Sequence, residues 1–323
     1  MSFTPKAASP APHPFMGPVY FDCNATTPTL PKAAEAAVEA MRILYGNPSS
    51  THMVGLQAKH LLETARGKVA QAVGASPDRI IFTSGATEAI QTAVFSVLES
   101  AMKKGLNGCD RVLYAATEHK AVPEALQHWI TALGLPLKLV RLPVDSQGLL
   151  LQSELRKELP RALLLCTMAV NNETGMIQNL PAIEAALTET QSKARWLVDC
   201  VQALGKKRLA LESTRIDYAP FSGHKLYAPK GIGFLYVRKD APYVPLIVGG
   251  GQERGLRSGT ENLPGVAALG AIFDELGRPG SAFQSAEVLT SYREKIRRTL
   301  EEIFPKVLFN SPFVGSVPTT INF

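Results

Sequence analysis

The sequence predicts an α/β protein: a mainly parallel sheet with helices on both faces, followed by a smaller, incomplete α+β piece. Three observations predict it. Short apolar runs of strand length alternate with longer stretches of helical period. The runs are short and mainly apolar, as in the strands of a parallel sheet covered on both faces. Past Leu276 the alternation stops at Gly277-Arg-Pro-Gly280, where two glycines and a proline in four residues cannot continue a helix.

The elements follow in order. Residues 1–17, MSFTPKAASPAPHPFMG, are rich in Pro, Ala and Ser and lack the charged start and apolar stretch of a secretory signal, so they read as a flexible tail. Strands are predicted at Arg79-Ile-Ile-Phe-Thr83, Arg111-Val-Leu-Tyr114, Leu137-Lys-Leu-Val-Arg-Leu142, Ala162-Leu-Leu-Leu-Cys166, Trp196-Leu-Val-Asp199 and Ile232-Gly-Phe-Leu-Tyr-Val237. Helical patterns lie near 55–73, 86–103, 121–133, 151–158 and 180–192. These form a large domain over 18–276. In the partial domain over 277–323, a helix aligns Val288, Leu289, Tyr292, Ile296, Leu300 and Ile303 and closes at Pro305. Strand-like pieces follow at Lys306-Val-Leu-Phe-Asn310 and Thr319-Thr-Ile-Asn-Phe323. One helix and two strands are too small a core to stand alone.

Composition narrows the function classes. With 323 residues, 46% hydrophobic and 19% charged, the chain suits a globular protein with a large core. No apolar run reaches the roughly 18–20 residues that cross a bilayer. The net charge of +6 is scattered. Its densest spots, Lys206-Lys207-Arg208 and Arg297-Arg298, read as solvated surface and not as a nucleic-acid patch. Cys23, Cys109, Cys166 and Cys200 show no C-x-x-C spacing, so neither zinc nor a disulfide framework is indicated, and a reducing cytoplasm fits.

The chemistry gathers at predicted strand ends, where ligands of parallel sheets sit. Phe221-Ser-Gly-His-Lys225 places a lysine beside two side chains that suit a phosphate, Ser222 and His224. Asp199 closes an apolar run upstream. A lysine amine forms a Schiff base with an aldehyde, and an aspartate holds a pyridine nitrogen protonated; pyridoxal 5′-phosphate requires both. Thr83-Ser-Gly-Ala-Thr-Glu88 follows a strand and opens a helix, so backbone N–H groups around Ala86 and the Thr87 hydroxyl point at one spot suited to an anion. His119, just after a strand, can lie flat on a planar ring and move protons. Asn172, in Val170-Asn-Asn-Glu-Thr-Gly175, and Gln202 can bond a phenolate oxygen. Gly249 to Asn262 is a flexible, donor-rich loop carrying Thr260, suited to a phosphate or a subunit contact.

With these residues in place, the chain resembles cysteine desulfurases of the NifS/IscS type, in the class V aminotransferase-like group of fold type I pyridoxal-phosphate enzymes. The matching motifs run from Val19-Tyr-Phe-Asp-Cys-Asn-Ala-Thr-Thr-Pro28 through Tyr45-Gly-Asn-Pro-Ser-Ser50, SGATE, TEHKAV, NNETG, VDCVQALGK and FSGHKLYAPKGIG to GGGQERGLRSGTEN. The resemblance implies that Lys225 is the Schiff-base lysine, Asp199 pairs with the pyridinium nitrogen and His119 stacks on the ring. It implies that Asn172 and Gln202 face the phenolic oxygen and that Thr87, Ser222 and His224 hold the phosphate. Thr260 then serves the neighbouring subunit of a homodimer. L-cysteine is the implied substrate, with an iron–sulfur scaffold or a tRNA-thiolating enzyme as sulfur acceptor; selenocysteine lyase shares the same motifs.

In the family a cysteine on a mobile C-terminal loop takes the sulfur, and a later arginine binds the substrate carboxylate. Neither segment falls within these 323 residues. The readings left open are a fragment, one half of a split protein, or a non-catalytic, dimeric cofactor-binding relative. Cys23 and Cys200 are the nearest candidates to replace the loop thiol, although both are expected to be small buried residues.

Overall fold

The computed structural model describes residues 19–276 and 278–323; the tail expected at 1–17, and Gly277 at the expected domain break, lie outside them. Strands β1 (Ile80–Thr83), β2 (Arg111–Ala115), β3 (Lys138–Leu142), β4 (Ala162–Met168), β5 (Arg195–Asp199), β6 (Tyr218–Ser222) and β7 (Gly233–Val237) form one sheet. Its order is β1-β7-β6-β5-β4-β2-β3. The β2–β3, β2–β4, β4–β5 and β5–β6 pairs are parallel, while β7 runs antiparallel to both β1 and β6. The six strands predicted between Arg79 and Val237 are all present. β6, which sequence periodicity did not single out, joins them despite Pro220 at its centre.

The helices are α1 (Pro31–Arg42), α2 (Met53–Val73), α3 (Ala86–Lys104), α4 (Ala121–Ala132), α5 (Gln152–Glu158), α6 (Leu180–Glu189), α7 (Leu263–Glu275) and α8 (Ala286–Ile303). Local chemistry sets their ends. Asn179 and Asn262 accept hydrogen bonds from Ala182 N and Gly265 N, each with a proline in the first turn. Gly74, at φ 63°, ends α2.

Each strand feeds two cores. Ile81, Leu164, Leu197 and Leu235 pack with Ile90, Val94 and Leu98 of α3 on one face. Phe82, Leu165, Trp196, Phe221 and Phe234 pack with Leu62 and Val69 of α2 and Leu269 of α7 on the other. Burial on both faces explains why the central strands β4, β5, β6 and β7 are mainly apolar, while β3 at the sheet edge keeps Lys138 and Arg141 exposed.

Two expectations change. The strand-like pieces at 306–310 and 319–323 form no ladder. They lie side by side through Asn310 N and Ser311 N, which both donate to Asn322 O. The stretch between them reaches back to the Asn171–Ile177 turn: Val317 N donates to Gly175 O, Ile177 N donates to Gly315 O, and Met176 bridges Ser316. Val317 and Thr320 are buried there, against the Asn171–Ile177 turn instead of a sheet partner. Gly175 permits the contact, because at φ 74° a Cβ would stand 2.8 Å from Thr320 Cβ.

The loop over 249–262 was expected to be flexible and is instead anchored at two points. The carboxylate of Glu253 takes both Arg66 guanidinium nitrogens at 2.7 Å and Phe82 N at 2.9 Å, in a pair almost wholly buried. Arg257 grips Glu88 through two bonds of 2.9 and 3.1 Å. The composition is that of a mobile loop, but two charged anchors fix it to β1 and α3.

Candidate active site

A cleft of about 670 Å³ opens at the carboxyl ends of β4, β5 and β6, beside the turn into α3. It gathers nine of the ten sequence-predicted site residues: Ala86, Thr87, His119, Asn172, Asp199, Gln202, Ser222, His224 and Lys225. Thr260 is the exception. It is exposed on the 249–262 loop and does not line the cleft.

Lys225 follows β6 in a single turn, Gly223–Lys225. Its amine donates to Asn24 O at 2.6 Å and Ala25 O at 2.7 Å. Burial lowers its pKa, and the carboxylates of Asp22, Asp199 and Glu173 oppose that shift. His224 bonds Thr26 Oγ1 through Nδ1 at 3.1 Å; burial, then the charges of Lys225 and Lys230, lower its pKa and favour the neutral ring.

Asp199 ends β5 and is 7% exposed. Its carboxylate takes one hydrogen bond among the described residues, from Val201 N at 2.9 Å. Burial pushes its pKa up, against that bond and the charges of His119 and Lys225. Glu118, next to His119, is pushed well up by burial and then by Asp199. His119 is exposed, and its Nδ1 accepts from Ala121 N at 3.2 Å, which leaves Nε2 to carry the ring proton.

The paired amides divide their work. Asn171 is buried and builds the turn, its Oδ1 accepting from Glu173 N, Thr174 N and Thr174 Oγ1. Asn172 lines the cleft, and its Nδ2 donates to Glu173 Oε1 at 2.7 Å. At the far wall, the first turn of α3 receives no side-chain cap from Gly85. Its leading N–H groups open toward Ser222, whose hydroxyl a Cβ on Gly85 would meet at 3.5 Å.

These features test the fit of pyridoxal 5′-phosphate. A buried carboxylate with spare acceptor capacity is costly unless a donor arrives, and a protonated pyridine nitrogen is such a donor. An uncapped helix N-terminus with Thr87, Ser222 and His224 around it suits a phosphate dianion. A partly desolvated amine suits imine chemistry. The residues fit the group.

Two participants escaped sequence reasoning. Asn24 lies at the centre of the site: its main-chain oxygen accepts from Lys225 and from Gln202 Nε2 (3.0 Å), and its Nδ2 donates to Asn172 O and Thr320 Oγ1. The matched motif at Val19–Pro28 contained it without giving it a role. Lys206, expected on solvated surface with Lys207 and Arg208, turns inward to Gln202 and Asn24, while its two neighbours stay exposed. Its spacing of four from Gln202 was the available signal. The thiols differ as well. Cys166 and Cys200 are buried as expected, but Cys23 is exposed, because the turn at Asp22–Ala25 directs it away from the core.

The chain is similar to known proteins over most of its length. The aminotransferase class-V family model matches residues 19–321. A cysteine desulfurase IscS of Dictyoglomus turgidum is 34% identical over 94% of this chain and 75% of its own length. A selenocysteine lyase of Bos taurus is 35% identical with the same coverage. Among solved structures, a NifS-like protein aligns with a TM-score of 0.84 at 37% identity, covering 93% of this chain and 80% of its own. SspA in complex with cysteine aligns at 0.75 and 29% identity, covering 86% and 77%.

Proposed function

The chain belongs to the aminotransferase class-V family, among its NifS/IscS-like cysteine desulfurases, and from that membership we propose that its cleft binds pyridoxal 5′-phosphate and releases sulfur from L-cysteine. The observation that carries this reading is the joint placement of the Lys225 amine and the buried Asp199 carboxylate in one cleft, beneath the uncapped start of α3. When bound, the cofactor supplies an aldehyde for amine capture and a ring that withdraws electrons.

This chain's residues do the remainder. Asp199 would accept from the pyridine nitrogen of the cofactor and favour its charged form. Lys225, with its lowered pKa, would offer a free amine and move a proton at the substrate Cα. His119 would contact the ring, Asn172 and Gln202 would bond the phenolic oxygen, and Ala86, Thr87, Ser222 and His224 would hold the phosphate. Thr260, outside its own cleft, serves the phosphate of a second subunit in a homodimer. The exposed apolar side chains Met41, Ile43, Tyr45, Met53 and Leu56 support that assembly. The sulfur passes to a thiol acceptor such as an iron–sulfur scaffold or a tRNA-thiolating enzyme. Cys166 and Cys200 are poor acceptors here, since burial pushes both thiols well up. Four free thiols, and no described helix long and apolar enough to cross a membrane, suit a reducing cytoplasm.

The test is a purified chain given the cofactor, L-cysteine and an external thiol reductant. Visible absorbance of bound cofactor and release of sulfide with alanine are expected, and Lys225→Ala abolishes both. An unchanged spectrum in Lys225→Ala defeats the assignment of that lysine. Cofactor binding without sulfide release favours the non-catalytic reading. The similarity to a selenocysteine lyase makes L-selenocysteine the comparison substrate, and faster turnover of it reverses the preference.

A further inference from the structure

We infer that Lys206 is a positioning residue for this site: its ammonium fixes the sense of the Gln202 amide and the place of the Asn24 turn that holds the Lys225 amine. The inference rests on Lys225 being the amine that meets the cofactor. Lys206 Nζ donates to Gln202 Oε1 at 2.5 Å and to Asn24 Oδ1 at 3.0 Å. An ammonium has three donors and no acceptor, so the amide oxygen of Gln202 must face it. The other edge, Nε2, is left to donate, as it does to Asn24 O. An amide free to flip offers a cofactor oxygen either a donor or a repelling oxygen; Lys206 removes that ambiguity.

The same lysine clamps the turn that holds Lys225. Lys206 takes the side chain of Asn24 while Lys225 takes its main-chain oxygen, so two ammoniums share one residue. Burial, then the nearby charge of Lys225, lowers Lys206 to about 8. Like charges act mutually, so a protonated Lys206 disfavours a proton on Lys225. The other groups facing this pair are Asp22 and Cys23 from the N-terminal turn, Glu173 from the Asn171–Ile177 turn, Asp199 from β5, and His224 beside Lys225. The three carboxylates favour the proton on Lys225, and burial, the larger cause, opposes them.

The experiment titrates the visible band of bound pyridoxal 5′-phosphate against pH in the wild type, Lys206→Met and Lys206→Arg, and records the melting temperature of each apo-protein. Lys206→Met is expected to move the midpoint upward by about one pH unit, the scale of a neighbouring charge in a partly buried site. It is also expected to weaken cofactor binding about tenfold, while Lys206→Arg stays near the wild type. A merely structural lysine changes melting temperature and leaves the midpoint in place, and that result overturns the inference. Should Lys206→Met fail to fold, Lys206→Gln is read the same way, a shifted midpoint supporting and an unmoved one overturning. A wild type with no visible band defeats the reading of Lys225 itself, so the two failures are distinguishable.

Discussion

Replacing Glu253 with Ala removes one of the anchors that hold the glycine-rich loop to β1, leaving the bond from Arg254 Nη2 to Ile80 O at 2.7 Å. The Arg66 side chain is 1% exposed and that of Glu253 is 2% exposed. The wild-type carboxylate satisfies three donors at once: two from Arg66 and one from Phe82 N. After the change, the Arg66 guanidinium keeps Ile80 O at 3.1 Å, the half-exposed Glu63 carboxylate and its stacking over the Phe82 ring at 4.8 Å. Breaking one side of a buried pair costs about 3–5 kcal/mol when the charge is left without a partner; Arg66 keeps Glu63, so the loss falls at the lower end, about 3 kcal/mol. Much of that cost is the abandoned charge and not the lost attraction. Arg66→Met combined with Glu253→Leu therefore recovers part of the loss, the Phe82 N–H staying without its acceptor. Urea unfolding followed by far-ultraviolet circular dichroism measures both variants, the midpoint falling in proportion to the lost stability. A loss below about 1 kcal/mol in Glu253→Ala, or a double variant no better than the single one, refutes the reasoning.

Gly233→Ala would set a Cβ 2.4 Å from Phe221 O and 2.7 Å from Gly85 Cα, with backbone on both sides. The turn into α3 must move off β7, so we expect a loss of about 1–3 kcal/mol and weaker cofactor affinity by fluorescence titration; wild-type values in both would contradict the packing argument. Glu88 is pulled two ways: burial raises its pKa, but Arg257 and Ser84 outweigh that and hold it below the usual carboxylate range. Its folded pKa thus lies below the unfolded value of about 4.3, so its contribution is full above that pH and fades as pH falls through the folded value. The stability difference between wild type and Glu88→Gln should be constant near neutrality and shrink in acid. A difference that persists unchanged at pH 3 excludes the linkage.

How far the sequence carried the structure can be seen element by element. Strands such as Trp196–Asp199 were legible because burial on both faces requires mainly apolar residues. β6 was not, since Pro220 argues against a central strand. It is tolerated because β6 is in register with β5 at one position only, Tyr218 beside Leu197, while the antiparallel pairing with β7 runs on through Pro220 opposite Leu235. The segments 306–310 and 319–323 show the converse: strand-like composition does not make a strand without a partner edge, and the Asn171–Ile177 turn took their intervening residues instead.

The sequence by itself determined the chemistry on offer: an amine next to phosphate-suited side chains, a carboxylate at a strand end, and a glycine turn opening a helix. These are local properties, set by residue type and by neighbours a few positions away. Only the tertiary structure decided which groups meet. Lys225 bonds a carbonyl 201 residues earlier, and Lys206 turns inward from a basic run because Gln202 and Asn24 offer it oxygens there. Such pairings depend on chain segments brought together by the burial of two apolar faces, a cooperative event that no short window of residues encodes.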